Sequence, residues 1–206
     1  MKRLLNILFI SCLTLSVCAQ NCEQVTDKLL QKLNSTALRT DYNIAITQPE
    51  TLSQNYSGQI TMKGQSFNLR MGTVQAFYNG KTMWVMDSDL DEINITSPTA
   101  EELTESNPLL LINSIRQQCR LHFTDNFNDK ALWSVDFYPN NKKSEILKYT
   151  VQFRRSDLIP TKIIISEIHS KLTTIILSAQ QYGVDTTGEF ELNVKNYPEA
   201  TINDMR

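Results

Sequence analysis

A succession of short segments in which apolar and polar residues alternate constrains the fold of this chain most strongly. Residues 59–96 consist almost entirely of such segments, separated by turn residues. Because alternation with a period of two places one set of side chains on one face of a strand, these segments predict β-strands. Asn79-Gly80 lies between two of them and is typical of a type I′ hairpin turn. The region therefore predicts an antiparallel meander with one solvated face, rather than βαβ units.

Further alternating segments extend the sheet beyond this meander. They are residues 42–47, 132–138, 147–153, 162–169 and 171–179, with a last strand over Phe190, Leu192 and Val194. Two segments predict helices instead. Residues 22–33 carry an apolar stripe at helical spacing, and Asn107-Pro108 opens a helix that runs to Gln118.

These elements indicate an α+β fold with about ten antiparallel strands and two helices. A sheet of this length curls, and helices on one side of a curled sheet form a lid over an apolar cavity. The sequence therefore predicts an incomplete β-barrel with a helical lid. The length of 206 residues suits one domain, which we expect to comprise residues 20–206.

Residues 1–19 carry the pattern of a signal peptide. Lys2 and Arg3 precede an apolar run from Leu4 to Val17, which is too short to span a bilayer but typical of a signal-peptide core. Val17-Cys18-Ala19 is a small-x-small pattern that predicts cleavage after Ala19 and export of a soluble protein. The competing interpretation is a lipobox ending at Cys18, but Val17 stands where a lipobox has Gly or Ala.

Composition and charge exclude several classes of protein. With 41 % hydrophobic and 20 % charged residues, the chain is too apolar to be disordered and not charged enough for a coiled coil. Its formal net charge of −2 lacks the basic surplus that phosphate neutralisation requires. We therefore do not expect nucleic acid as a partner.

Cys22 and Cys119 are the cysteines that remain after such cleavage. In an oxidising compartment they can form one internal disulfide, and two unpaired, partly buried thiols are the equally weighted alternative. The sequence contains no CxxC pair, so it gives no support for zinc binding or thioredoxin-type chemistry.

No set of residues in the sequence predicts catalysis or a metal site. His122 and His169 are the only histidines, and His122 shares a face with Cys119 only if the second helix continues through both. Nucleophile-elbow, phosphate-loop and zinc-protease motifs are absent, and the acidic turn at residues 87–92 lacks the pattern of an EF-hand. We therefore expect no enzymatic activity, no cofactor and no metal.

An apolar ligand cavity is the functional site that the sequence favours. Four methionines lie in the meander, where their flexible, polarisable side chains suit variable apolar ligands. The second helix adds an apolar run that is wider than one narrow stripe. The residues predicted to line or close the cavity are Ile60, Met62, Phe67, Leu69, Met71, Trp84, Ile93, Ile95, Leu109, Leu111 and Ile112.

Several short motifs occur in a fixed order along the chain. They are Gly58-Gln59-Ile60-Thr61-Met62-Lys63-Gly64, Tyr78-Asn79-Gly80-Lys81-Thr82-Met83-Trp84, Asn107-Pro108-Leu109-Leu110-Leu111-Ile112 and Asp204-Met205-Arg206. The second is similar to a (D/N)-G-K-x-(L/M)-W hairpin, the third to an N-P-x-x-L-(L/I) lid helix and the last to a D-x-R end. In these motifs and their spacing, most of the chain after the signal peptide resembles the periplasmic outer-membrane lipoprotein carriers of the LolA type.

The resemblance implies a carrier without catalytic chemistry. Such carriers take a triacylated lipoprotein from an inner-membrane ABC transporter and hold its acyl chains between an incomplete barrel and a helical lid. They then deliver the lipoprotein at the outer membrane. The implied protein is a periplasmic monomer. Its implied partners are acylated lipoproteins, that transporter and, where one exists, an outer-membrane acceptor.

The resemblance also assigns a lid latch and leaves one alternative open. Lys63 is the ungapped match of the family's lid-locking arginine, and it is expected to be a weak latch because lysine lacks the planar fork of arginine. The alternative function is that of an adaptor or sensor module of the same fold, which binds protein or another lipid. Such a module would have a filled core and an exposed apolar patch.

Overall fold

The computed structural model describes residues 22–206, apart from the side chains of residues 105 and 106. The predicted signal peptide, its cleavage after Ala19 and the lipobox cysteine Cys18 lie outside these residues. Within the described range, no helix is both long and apolar enough to cross a membrane.

The described residues form three α-helices and one twelve-stranded sheet. The helices are α1 (residues 22–35), α2 (Ala100–Ser106) and α3 (Pro108–Gln118). The first six strands are β1 (Leu38–Thr47), β2 (Gln54–Lys63), β3 (Ser66–Met71), β4 (Val74–Tyr78), β5 (Met83–Asp87) and β6 (Glu92–Thr96). The last six are β7 (Cys119–Phe123), β8 (Leu132–Pro139), β9 (Ile146–Arg154), β10 (Pro160–Glu167), β11 (Leu172–Tyr182) and β12 (Thr201–Asp204).

The sheet joins two meanders through its first strand. Its strand order is β12-β6-β5-β4-β3-β2-β1-β11-β10-β9-β8-β7. Tyr42 in β1 lies opposite Gly58 of β2 on one side and Leu177 of β11 on the other. The described strands pair antiparallel except β12, which runs parallel to β6. Because β12 and β7 are separate edges, the sheet is curled but not closed into a barrel, as the sequence predicts.

The local sequence explains how α1 packs and where α2 and α3 begin. Leu29 and Leu33 of α1 are fully buried, in line with its apolar stripe. Thr99 caps α2 with a capping box: its side chain accepts from the Glu102 amide, and the Glu102 carboxylate accepts from the Thr99 amide at 2.7 Å. The Asn107 side chain caps α3 by accepting from the Leu109 amide at 2.9 Å.

The concave face of the sheet and the three helices enclose one large apolar core. The largest fully buried side chains on this face include Tyr42, Phe67, Phe137 and Phe153. Helix residues complete the same cluster, and among them are Leu29, Leu33, Leu103, Leu109 and Ile112. The helices therefore cover one face of the curled sheet, which is the arrangement expected of a lid.

A smaller core lies on the convex face under the carboxyl-terminal segment, residues 189–200. Leu192 is buried there against Phe77, Ile93 and Ile95. Polar contacts hold the same segment: Glu189 pairs with Arg39, and Glu191 accepts a hydrogen bond from Asn79 at 2.8 Å. Where the carboxyl-terminal segment packs, the sheet is therefore apolar on both faces.

One predicted element is wrong, and two elements are missing from the prediction. The alternation of Phe190, Leu192 and Val194 does not form a strand, because Leu192 packs onto the face of the sheet and the last strand is β12. Helix α2 and strand β7 are both additional to the predicted elements. Because β7 starts at Cys119, Cys119 and His122 lie on opposite faces of a strand, with Cys119 buried and His122 exposed.

The two cysteines among the described residues are free thiols in this structure. Cys22 and Cys119 are both buried in the concave-face core. Burial raises the pKa of Cys22 to about 11 and also raises the pKa of Cys119. Because thiolates are the reactive form, burial disfavours the reaction of both thiols at neutral pH.

Candidate ligand-binding site

Eight of the residues that the sequence predicts for the cavity lie between the sheet and the helices. Five of them are on strands, where register places their side chains on the concave face, and the other three are on α3. The strand residues are Ile60, Met62, Phe67, Leu69 and Met71, and the helix residues are Leu109, Leu111 and Ile112. Apart from Met71 and Leu111, they are buried in the core cluster. In this conformation, protein side chains fill the space between the helices and the sheet.

The helices leave one end of the concave face uncovered. This open rim consists of half-buried or exposed apolar side chains from neighbouring strands, and by register they share the face of the core: Ile46, Tyr56, Met71, Val74, Leu147 and Ile165. Tyr56 is 42 % exposed, Met71 37 % and Leu147 56 %. The rim is continuous with the buried core, so it offers an apolar ligand an access route to the space under the lid.

Three predicted cavity residues lie on the opposite face, which corrects the sequence-based assignment. Trp84 lies opposite Phe77 on one neighbouring strand and Ile95 on the other, and all three side chains face the convex side. Ile93 lies two residues from Ile95 on the same strand, so it faces the convex side as well. Their neighbours Met83 and Val85 face the core instead. The alternation is correct, but both faces of β5 are apolar, so the pattern did not distinguish the inner face from the outer one.

A polar seam joins α3 to α1 along one side of the lid. The side-chain amides of Asn34 and Asn113 form two reciprocal hydrogen bonds, at 3.1 and 3.2 Å. Nearer the end of α3, Arg116 donates to both carboxylate oxygens of Asp27, at 2.7 and 3.3 Å, and lies 3.7 Å from Glu23. These five side chains form the α1–α3 seam. Its contacts are largely exposed, so each is weaker than a buried one.

Lys63, the residue expected to be the lid latch, does not hold the lid in this structure. It ends β2 with an exposed side chain, and among the described residues that side chain has no hydrogen-bond or ion-pair partner. The α1–α3 seam joins two of the lid helices to each other and not to the sheet. Its residues carry only a weak sequence signal: Glu23, Asp27 and Asn34 recur on one face of a helix, as residues of a solvated helix face also do.

A cleft of about 610 Å³ opens between α1, α2, α3 and the turn from β2 to β3, and none of its described lining residues is charged. Five of its eleven described lining residues carry primary amides: Asn34, Gln65, Asn113, Gln117 and Gln118. The remaining lining residues are the hydroxyl-bearing Thr104 and Ser114 and the small or apolar Gly64, Ala100, Leu103 and Leu110. We refer to it as the amide-lined cleft. The sequence analysis did not identify it, because its residues come from four separate segments.

A buried carboxylate lies on the convex face, away from the lid. Asp136 accepts hydrogen bonds from Thr150 at 2.6 Å, Lys148 at 2.8 Å and Thr124 at 3.0 Å. Burial alone would raise the pKa of Asp136, but these hydrogen bonds outweigh it and hold that pKa below its ordinary value. Because every partner belongs to β8, β9 or the end of β7, the network stabilises the pairing of these strands.

The comparison with known families identifies the chain. The sequence profile of the family described as outer membrane lipoprotein carrier protein LolA matches residues 14–166. The chain belongs to the LolA family. Its match covers the open rim, the lid helices and the concave face from β1 to β9.

One solved structure shares this fold, and two others were matched at lower TM-scores. An uncharacterized conserved protein from Thermus thermophilus is similar over 89 % of this chain and 99 % of its own, with a TM-score of 0.59 and 10 % identity. The LolA superfamily protein NE2245 from Nitrosomonas europaea matches over 84 % and 98 %, with a TM-score of 0.46 and 9 % identity. A putative outer membrane lipoprotein-sorting protein domain from Vibrio parahaemolyticus matches over 85 % and 98 %, at 0.45 and 11 %. No curated protein matches the sequence significantly.

Proposed function

We propose that this LolA-family protein carries acylated lipoproteins across the periplasm and binds their acyl chains between the concave face of the sheet and helices α1–α3. The observation that carries this proposal is the open rim, where Tyr56, Met71 and Leu147 continue the buried apolar face out to solvent. A protein with a fully covered core would give acyl chains no such starting point. The family match supplies the class of ligand.

Acyl chains enter this site by displacing the lid rather than by filling an empty space. Leu109, Leu111 and Ile112 pack against the core in the closed state. Separating each from the sheet costs about 1.5–3 kcal/mol of apolar burial. Acyl chains that slide in from the open rim cover the same surfaces, so their binding offsets this free energy and favours the open state.

The wider role follows from the family. The predicted signal peptide exports the protein, which works in the periplasm as a monomer. It receives lipoproteins from an inner-membrane ABC transporter and passes them to an outer-membrane acceptor where one is present. No step involves covalent chemistry, so the protein acts as a carrier and not as an enzyme.

Displacement of a fluorescent fatty acid from the chain beginning at Gln20 tests the proposal. We expect saturable, reversible binding by the wild type. Leu111→Glu should weaken it at least about tenfold, because a carboxylate at this half-buried position would have to face the acyl chains. Lys63→Ala is the control and should change binding little. No saturable binding by a protein with normal circular dichroism would reject the carrier function.

A second function, that of an adaptor or sensor module, is favoured by the filled interior. Tyr42, Phe67, Phe137 and Phe153 occupy the concave face in this conformation. If the closed state never opened, the open rim would be the exposed apolar patch expected of a protein-binding module. Binding of a protein partner that is unaffected by saturating fatty acid would support this alternative.

A further inference from the structure

Two polar atoms are buried without partners at the two ends of the segment that leads from the sheet to the lid. Among the residues that the structure describes, Oγ1 of Thr96 and Nδ2 of Asn107 are the buried side-chain atoms that lack a hydrogen bond. We call them the two orphaned atoms. Thr96 is the last residue of β6, and Asn107 caps the start of α3. Because buried polar groups are nearly always hydrogen-bonded, this pair on one connection requires a physical explanation.

The hydroxyl of Thr96 lies on the face of the sheet that the lid covers. Thr96 is opposite Met83 in the register of β5 and β6, so the two side chains share the concave face. Met83 packs against the core cluster to which Leu103 of α2 and Leu109 of α3 belong. Oγ1 of Thr96 is therefore inaccessible to solvent while the helices cover this face.

The other polar groups of Asn107 are already used by the helices. Its Oδ1 atom accepts from the Leu109 amide at 2.9 Å, and its backbone carbonyl accepts from the amides of Leu110 and Leu111. Its backbone N–H donates to the carbonyl of Leu103. Because the oxygen and the nitrogen of a carboxamide point in different directions, Nδ2 cannot take part in the cap. It is buried with the rest of this side chain and has no acceptor.

We propose that the two orphaned atoms bias the lid toward opening. A buried polar group without a partner costs free energy, which is recovered as soon as water can reach the group. Movement of α2 and α3 away from the sheet hydrates both atoms, so each one raises the population of the open state by about five- to a hundredfold. This effect opposes the apolar burial of Leu109, Leu111 and Ile112, which keeps the lid closed. The inference rests on the proposed carrier function, in which the lid must move.

The same bias sets how tightly the protein holds acyl chains. A ligand that binds only the open state has an apparent affinity proportional to the fraction of protein that is open. The orphaned atoms therefore strengthen acyl binding although neither needs to touch the ligand. A lid without them would be more stable when closed and would admit acyl chains less readily.

Thr96→Val is the decisive variant, because valine has nearly the shape of threonine but no hydroxyl. The readout is alkylation of Cys119 by iodoacetamide in the ligand-free chain beginning at Gln20. Cys119 lies directly after α3 and is buried in the core, so its alkylation rate follows the open fraction. Thr96→Val should slow alkylation at least about fivefold, weaken binding of the fluorescent fatty acid by the same factor and raise the urea midpoint.

Three further variants separate the hydroxyl from other effects. Thr96→Ser keeps the hydroxyl and should not slow alkylation. Thr40 is fully buried, but its hydroxyl donates to the carbonyl of Ser178 at 2.8 Å. Thr40→Val should therefore lower the urea midpoint and not slow alkylation. Asn107→Ser keeps an oxygen that can cap α3 but removes the orphaned nitrogen, so it should slow alkylation as Thr96→Val does.

The outcomes distinguish the lid bias from the carrier function, because alkylation is measured without a ligand. Alkylation of Thr96→Val that is no slower than that of Thr96→Ser, or a urea midpoint that falls as in Thr40→Val, would overturn the lid bias. If fatty acid binds but alkylation is not slowed, only the lid bias fails. If alkylation is slowed but the wild type binds no fatty acid, the carrier function fails and the lid bias stands.

Discussion

Gly58 lets a core side chain pack directly against the backbone of β2, because glycine has no Cβ atom. A Cβ at this position would overlap the carbonyl oxygen of Arg70 and lie 2.5 Å from the hydroxyl of Tyr42. Tyr42 is almost fully buried, and its ring crosses β2 at this glycine. The position therefore requires glycine so that Tyr42 can approach the backbone of β2 closely. In the sequence, Gly58 stands out only as the first residue of a motif.

Gly58→Ala should lower the free energy of unfolding by about 1–3 kcal/mol, because the backbone must shift to accommodate the methyl group. Urea unfolding followed by tryptophan fluorescence measures the change. Ser57→Ala, at the exposed neighbouring position, is the control and should stay within about 0.5 kcal/mol of the wild type. An unchanged midpoint for Gly58→Ala would mean that Tyr42 does not pack against β2 as described.

Asp136 should make stability depend on pH in a defined direction. Its pKa is lowered in the folded state, so the ionised carboxylate stabilises the fold above its unfolded pKa of about 3.9. That contribution is lost as the pH falls through the lower folded value. Asp136→Asn should cost about 1–3 kcal/mol at pH 7, and the difference from wild type should shrink between about pH 5 and pH 2. Urea titrations across this range provide the measurement, and Asp89→Asn, in an exposed turn, is the control.

At the scale of elements, the capping box decides whether α2 forms. The helix has only seven residues, and its capping box lies at Thr99. Thr99→Ala should weaken it by about 1 kcal/mol. Hydrogen exchange should then accelerate in residues 100–106 and remain unchanged in β1–β6. Thr104→Ala is the matched control, because the Thr104 hydroxyl bonds only to the Ala100 carbonyl within the helix. Faster exchange throughout the sheet would contradict a local role.

Sequence patterns located the strands better than they located their faces. The meander predicted over residues 59–96 is present as β2–β6, and Asn79-Gly80 separates β4 from β5 as its turn sequence indicates. Alternation could not place Trp84 on the convex side, since Met83 and Val85 beside it are also apolar. Helix α2 and strand β7 are missing from the prediction. The sequence of α2 is short and polar, and β7 follows α3 without a break. The α1–α3 seam depends on tertiary contacts that no local pattern encodes.

At the scale of the whole molecule, the carboxyl-terminal segment covers apolar surface that the strands alone would expose. Leu192→Glu should release residues 189–200 from Phe77, Ile93 and Ile95. We expect a loss of about 2–4 kcal/mol in unfolding free energy and increased binding of a hydrophobic dye to the native protein. Lys195→Glu, an exposed reversal of charge in the same segment, is the control. Equal dye binding by both variants would show that the segment does not shield this face.

The pairing of β1 with β11 has a consequence for how the chain folds. Thr47 and Leu172 are partners across these strands although they lie 125 positions apart in sequence. Each meander can assemble from neighbouring strands, but the centre of the sheet forms only by closing this long loop, and such distant contacts slow folding. A chain that emerges amino end first from a translocation pore would therefore have both meanders outside before its central ladder could close. Refolding should show a slow phase in which the amides that bond β1 to β11 gain protection together, after those of β3–β5.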